Sequence, residues 1–172
     1  MTLFSRLFSR TADPREGLRP LWHRVVEIAR EKRWYAEGGI ADTVPGRFDA
    51  ITLAMAAVLL RLERNPELAQ SASYLTELFI EDMDGQLRES GVGDLVVGKH
   101  VTRLMGVLGG RLGALREGLA RADDAELTAA IERNISFADR GSPATVASDF
   151  RALAGHLADL SDFELLEGRI GR

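Results

Sequence analysis

Apolar residues recur along this chain at the three- and four-residue intervals of an α-helix, with little of the two-residue alternation of a strand. Leu21, Val25, Ile28 and Ala29 form one such face. Asp13-Pro14 resembles an N-cap with a helix-starting proline, but Pro20 interrupts, so the first substantial helix is expected from Pro20 to about Lys32. A loop follows through Gly38, Gly39, Thr43, Pro45 and Gly46. The second helix is expected from Arg47 to Glu63. Phe48, Ile51, Met55, Val58, Leu59 and Leu62 make its buried stripe, and Ala54, Ala56 and Ala57 fill the other face, so little of it should meet water. Asn65-Pro66 ends it. A third helix is expected from Ser73, as N-cap, to Glu89, with Tyr74, Leu75, Leu78, Phe79, Met83 and Leu87 inward.

From Ser90 to Gly98 the helical period lapses, and Leu95 to Val97 is a candidate for a short extended piece, too little for a sheet. The period returns from Lys99 to about Ala122 through Val101, Leu104, Leu108, Leu112, Leu115 and Leu119. Asp123 or Asp124 caps a fifth helix with Leu127, Ile131 and Ile135 inward. Ser142-Pro143 opens a sixth, containing Val146, Phe150, Leu153 and Leu157. Ser161 with Glu164 reads as the capping box of a short last helix. No long linker divides the chain. The expectation is an all-α fold: a single-domain bundle of about six to seven helices over residues 13–172, preceded by a separate N-terminal arm, residues 1–12.

Composition narrows the chemistry. A chain of 172 residues, 45% hydrophobic and 28% charged, suits one domain with a packed core. The absence of cysteine excludes a disulfide scaffold, a thiolate zinc site, a cysteine nucleophile and an iron–sulfur cluster. A net charge of −4 opposes general binding to a phosphate backbone. The longest uncharged run, Ala50 to Leu60, is about half of what a membrane-spanning helix needs. The N-terminus lacks the apolar core of a secretory signal, so the protein is expected to stay where it is made. His23, His100 and His156 fall on separate helices without a ligand partner at helical spacing, so no metal and no cofactor are expected. Nucleophile-elbow and Walker motifs are missing, and Gly91-Val92-Gly93 lacks the rest of a dinucleotide loop. No small-molecule substrate is expected.

Four features remain. Glu77, Glu81 and Asp84, with Asp82 beside them, share one side of the third helix as a solvated face or as a patch for a basic partner. Lys99, His100, Arg103, Arg111, Arg116 and Arg121 are spread around the fourth helix, and Lys99 and Arg103 adjoin the glycine-rich loop. That helix also holds Gly106, Gly109, Gly110, Gly113 and Gly118, each of which costs about 1 kcal/mol relative to alanine. Close packing on a neighbouring helix is the plain explanation, and a pliable groove for a client segment is the sharper one. In the arm, Leu3, Phe4, Leu7 and Phe8 make an apolar face beside Arg6 and Arg10, suited to an anionic membrane surface or to docking.

Three stretches resemble the ubiquinol–cytochrome c chaperone family. They are Arg33-Trp-Tyr-Ala-Glu-Gly-Gly-Ile-Ala-Asp-Thr-Val-Pro-Gly-Arg-Phe-Asp49, the acidic Leu78-Phe-Ile-Glu-Asp-Met-Asp84, and Leu87-Arg-Glu-Ser-Gly-Val-Gly-Asp-Leu-Val-Val-Gly-Lys99. Gly98 departs from the pattern, which has proline there in many relatives. The resemblance implies a helical binding protein, not an enzyme. Its client would be newly made cytochrome b or another nascent subunit of ubiquinol–cytochrome c reductase. A second assembly factor or the ribosome would be a further partner. The mitochondrial members' long presequence is missing, so the resemblance implies a bacterial-type member, cytoplasmic or peripheral on the cytoplasmic face of the inner membrane. The likeness is densest at polar or backbone-special positions that packing alone does not require. They make the expected client surface: Asp42, Thr43, Arg47, Asp49, Asp82, Asp84, Arg88, Gly91, Gly93, Asp94, Lys99 and Arg103. Two other classes fit the residues less well: a small helical enzyme using the third-helix carboxylates, with or without a metal, and a ribosome-associated factor using the basic fourth helix.

Overall fold

A computed structural model describes residues 13–89 and 94–171, with the side chains of residues 87–104 outside the described set. Seven α-helices are present among the described residues: α1 Arg19–Ala29, α2 Val44–Leu62, α3 Ala69–Glu89, α4 Asp94–Leu119, α5 Ala125–Asn134, α6 Pro143–Asp159 and α7 Asp162–Leu166. The fold is an all-α single domain. No described segment is a strand, although Ile40 and Phe137 form one isolated antiparallel bridge.

The central element is α2, which packs against α1, α3, α4 and α6. Its middle is buried on every side, from Ala50 through Leu59, as the alanines opposite the large side chains foretell. It begins at Val44, three residues before the expected start, because Thr43 caps it: the Thr43 hydroxyl accepts from the Gly46 N–H at 3.3 Å, and Pro45 occupies the first turn.

The end of α1 is closed by two aromatic donors. Trp34 Nε1 donates to the Ile28 carbonyl at 2.7 Å, and the Tyr35 hydroxyl to that of Ala29 at 2.9 Å. Both residues sit in a π-helical turn, Arg33–Glu37. Carbonyls left open at a helix terminus are thereby satisfied within the fold. Gly39 then takes φ +71, and any Cβ there would stand 2.5 Å from Gly141 Cα. The loop before α2 is thus bound tightly to the one between α5 and α6, through Ala41 N–H to the Ser136 carbonyl and Ala138 N–H to that of Gly39, each at 2.9 Å.

Two further helix starts differ from the sequence expectation. Ser73 is inside α3, where its hydroxyl donates to the Ala69 carbonyl at 3.2 Å. The true start follows from Asn65, which accepts from the Glu67 N–H and opens a 3-10 turn, Pro66–Leu68, that runs directly into α3. The segment Leu95 to Val97 is helical, because α4 starts at Asp94. Val97 lies four residues before Val101 and so extends the apolar row of α4 backward, and an acidic residue in the first turn suits the helix dipole.

The later caps match. Ser142 accepts from the Thr145 N–H, and Ser161 and Glu164 form the reciprocal capping box. The two aspartates before α5 divide the work. Asp124 is the N-cap residue, while the Asp123 carboxylate accepts from the Ala125 N–H at 3.0 Å.

Candidate client-binding surface

Phe48, half-buried in the second turn of α2, is where three helices meet. Its ring lies 6.4 Å from that of Phe79 on α3, and the Arg111 guanidinium of α4 stands 5.9 Å over it. At the preceding residue, Arg47 Nε donates to Asp42 Oδ1 at 2.6 Å, with both side chains about two-thirds exposed. The Arg47 bond holds the Asp42 carboxyl below its usual range. Val44, beside this pair, is 84% exposed. The sequence reading did not single it out, although an apolar residue between a capping threonine and Pro45 is a legible signal.

Asp49 belongs elsewhere. It is 4% exposed, its Oδ1 accepts from Arg111 Nη2 at 2.5 Å and its Oδ2 from the Ser136 N–H at 2.8 Å. Arg111 also donates to the Thr52 hydroxyl at 2.6 Å. Asp49 therefore ties α2, α4 and the α5–α6 loop together and does not face outward with Asp42 and Arg47. Arg111 leaves the basic surface series for the same reason.

On α3 the acids have a partner within the chain. Arg15 reaches Glu81 at 2.8 Å and Glu77 at 4.0 Å while also holding Asp13 at 2.8 Å. The Arg15 bonds keep the Asp13 carboxyl down to about 2, and Asp13 in turn raises the arginine. Asp82 accepts from the Gln86 side chain at 3.3 Å, and Asp84 is half-buried. Arg116 of α4 and Arg121, just beyond the end of that helix, are neutralised by Glu63 and Glu126, each at 2.8 Å. The Arg88, Asp94, Lys99 and Arg103 side chains, His100, Gly91 and Gly93 lie outside the described residues, as do Leu3, Phe4, Leu7 and Phe8.

The glycines of α4 correct the plain explanation offered for them. Among the described residues, a Cβ built on Gly106, Gly109, Gly110 or Gly113 would meet nothing within 4 Å, so no described helix packs closely there. Only Gly118 follows that expectation: its Cβ would stand 2.7 Å from Leu127 Cα on α5. Met105, next to the open glycines, is 41% exposed.

Two arginines that the sequence reading passed over fasten helix ends. Arg151 bonds Asp124 at 2.5 Å and the carbonyls of Gly118, Leu119 and Asp123. Arg61 bonds the carbonyls of Leu157 and Leu160 and the Asp162 carboxylate. Among the described residues, no three histidine or carboxylate side chains gather as a metal set. No described helix is long and apolar enough to cross a membrane.

The described residues form an all-α domain in which α2, α3 and α4 meet at Phe48. The model of the ubiquinol-cytochrome C chaperone family matches residues 36–171, and the chain belongs to that family. Among solved structures, the crystal structure of the Cbp3 homolog from Brucella abortus is similar to it at 31% identity and a TM-score of 0.79, over 98% of this chain and 96% of that one. A search among curated proteins returns no match.

Proposed function

We propose that this protein is a non-enzymatic assembly chaperone that holds newly made cytochrome b, or another nascent subunit, during biogenesis of ubiquinol–cytochrome c reductase. The family match over residues 36–171 carries this reading. The chemistry agrees with it, because apolar client helices need shielding before they pack, and shielding needs surface rather than a catalytic group. The client face lies around Phe48: Asp42, Thr43, Val44 and Arg47 at the start of α2, Asp82 and Asp84 on α3, and Arg88, Gly91, Gly93, Asp94, Lys99 and Arg103 where α3 gives way to α4. Phe48 supports this placement, since it touches Phe79 and Arg111 and so brings the three helices together. The protein works in the cytoplasm and at the cytoplasmic face of the inner membrane, where Leu3, Phe4, Leu7 and Phe8 touch lipid with Arg6 and Arg10 beside them.

Deleting the gene and measuring cytochrome b and the assembled reductase tests the function. Both should fall steeply and return when the intact chain is restored. Normal levels of both would overturn it.

A further inference from the structure

Among the described residues, Asp49 and Thr52 are the two buried polar side chains, and both bond Arg111. Arg111 Nη2 donates to Asp49 Oδ1 at 2.5 Å and Nη1 to the Thr52 hydroxyl at 2.6 Å. The Thr52 hydroxyl donates in turn to the Phe48 carbonyl at 2.6 Å, so a single turn of α2 holds the guanidinium. Arg111, itself largely buried, stands in an apolar row of α4. Leu108 lies three residues before it and Leu115 four after, both buried, so a leucine at position 111 would complete the row. The facing helix is as uniform: Ala50 to Leu59 is buried throughout, and Thr52 is its one polar residue.

Apolar burial has no direction, so leucines on an alanine-rich helix pack almost as well one turn up or down. Hydrogen bonds do have direction, and a buried polar contact selects one register. A buried ion pair adds little stability over apolar residues of similar volume, so stability does not account for these three residues. We propose that Asp49, Thr52 and Arg111 are positioning residues that set the register and rotation of α4 on α2. The rotation they fix turns Leu108, Arg111 and Leu115 inward and leaves Gly106, Gly109, Gly110 and Gly113 with open surroundings. Arg116 to Glu63 is a second polar contact between α4 and the end of α2, but both side chains are exposed, and an exposed pair discriminates weakly. The inference stands whatever the client is.

The chain has no cysteine, so spin labels on Arg64→Cys, exposed just beyond α2, and Met105→Cys, exposed on α4, report the register in the full-length protein by pulsed electron paramagnetic resonance. The labelled protein should give one narrow distance. Asp49→Leu, Thr52→Val and Arg111→Leu are then introduced together, which avoids stranding a single buried charge. This variant should stay helical, with an unfolding midpoint no lower than that of the intact protein. Its distance distribution should broaden or divide, with components displaced by about 5 Å, one helical turn. A single narrow distance in the folded triple variant would overturn the proposal, whatever its stability. If the triple variant does not fold, Thr52→Val alone decides, because it removes one hydroxyl and keeps the ion pair. Broadening in Thr52→Val, with the narrow distance kept in Thr52→Ser, supports the proposal, and an unchanged distance in Thr52→Val overturns it.

Discussion

Gly118 and Gly110 belong to one helix and have opposite surroundings. At Gly118 the backbone of α5 is so close that a Cβ would collide with Leu127, and Arg151 gathers the nearby carbonyls of α4. At Gly106, Gly109, Gly110 and Gly113 the surroundings are open. The buried Asp49–Arg111 pair sits between the open Gly110 and Gly113, so α4 is anchored on one side there while its glycines from Gly106 to Gly113 meet no described neighbour. A glycine inside a helix therefore does not by itself announce close packing. Its neighbour decides, and the neighbour comes from tertiary structure.

The largest expected effect is at the buried Asp49–Arg111 pair. Asp49→Ala leaves Arg111 buried without its partner and should destabilise the fold by about 3–5 kcal/mol in denaturant titration. A loss below about 1 kcal/mol would mean that the pair does not anchor α4. Next comes the glycine contrast itself. Gly118→Ala should lose about 1–3 kcal/mol through overpacking against Leu127. Gly106→Ala and Gly110→Ala should each gain about 0.5–1 kcal/mol from helix propensity, since the added methyl meets nothing. Effects of the same sign at Gly118 and Gly110 would break the comparison.

Acid titration sharpens the account with a smaller effect. Arg15 holds Asp13 down to about 2, and on the core side bonds from Asn65 and then Arg61 lower Asp162. A carboxyl whose folded value is depressed contributes its full stability above the unfolded value and loses it as pH falls through the folded one. Stability should therefore decline between the ordinary aspartate value of 3.8 and about 2, and Asp13→Asn should flatten part of that decline. A decline in Asp13→Asn identical to that of the intact chain would show that the Asp13–Arg15 contact contributes nothing.

Much of the helical architecture was legible because its signals are local. Apolar rows at helical spacing marked α1, α2 and α6, and Ser142 and Ser161 marked their helix starts through side chains that reach only three residues ahead. Ser73 misled because a serine before an apolar run looks the same inside a helix as at its cap. Asn65, which acts through a 3-10 turn, supplied the real start. The candidate surface was less legible. Sequence grouped Asp42, Arg47 and Asp49 as neighbours, yet helical rotation sends Asp49 inward to Arg111, 62 positions away. The partner of the α3 acids, Arg15, lies more than fifty residues upstream, and no spacing rule joins them.

The central claim is that the face around Phe48 holds the client. Photo-reactive residues placed singly at Val44, exposed at the start of α2, and Met105, exposed beside the open glycines of α4, can be compared with probes at Glu132 and Ala144, exposed on α5 and α6. The measurement is the yield of covalent adduct with newly made cytochrome b in cells. The account predicts adducts from Val44 and Met105 and none above background from the other two. Adducts confined to Glu132 and Ala144, or equal at all four, would contradict it.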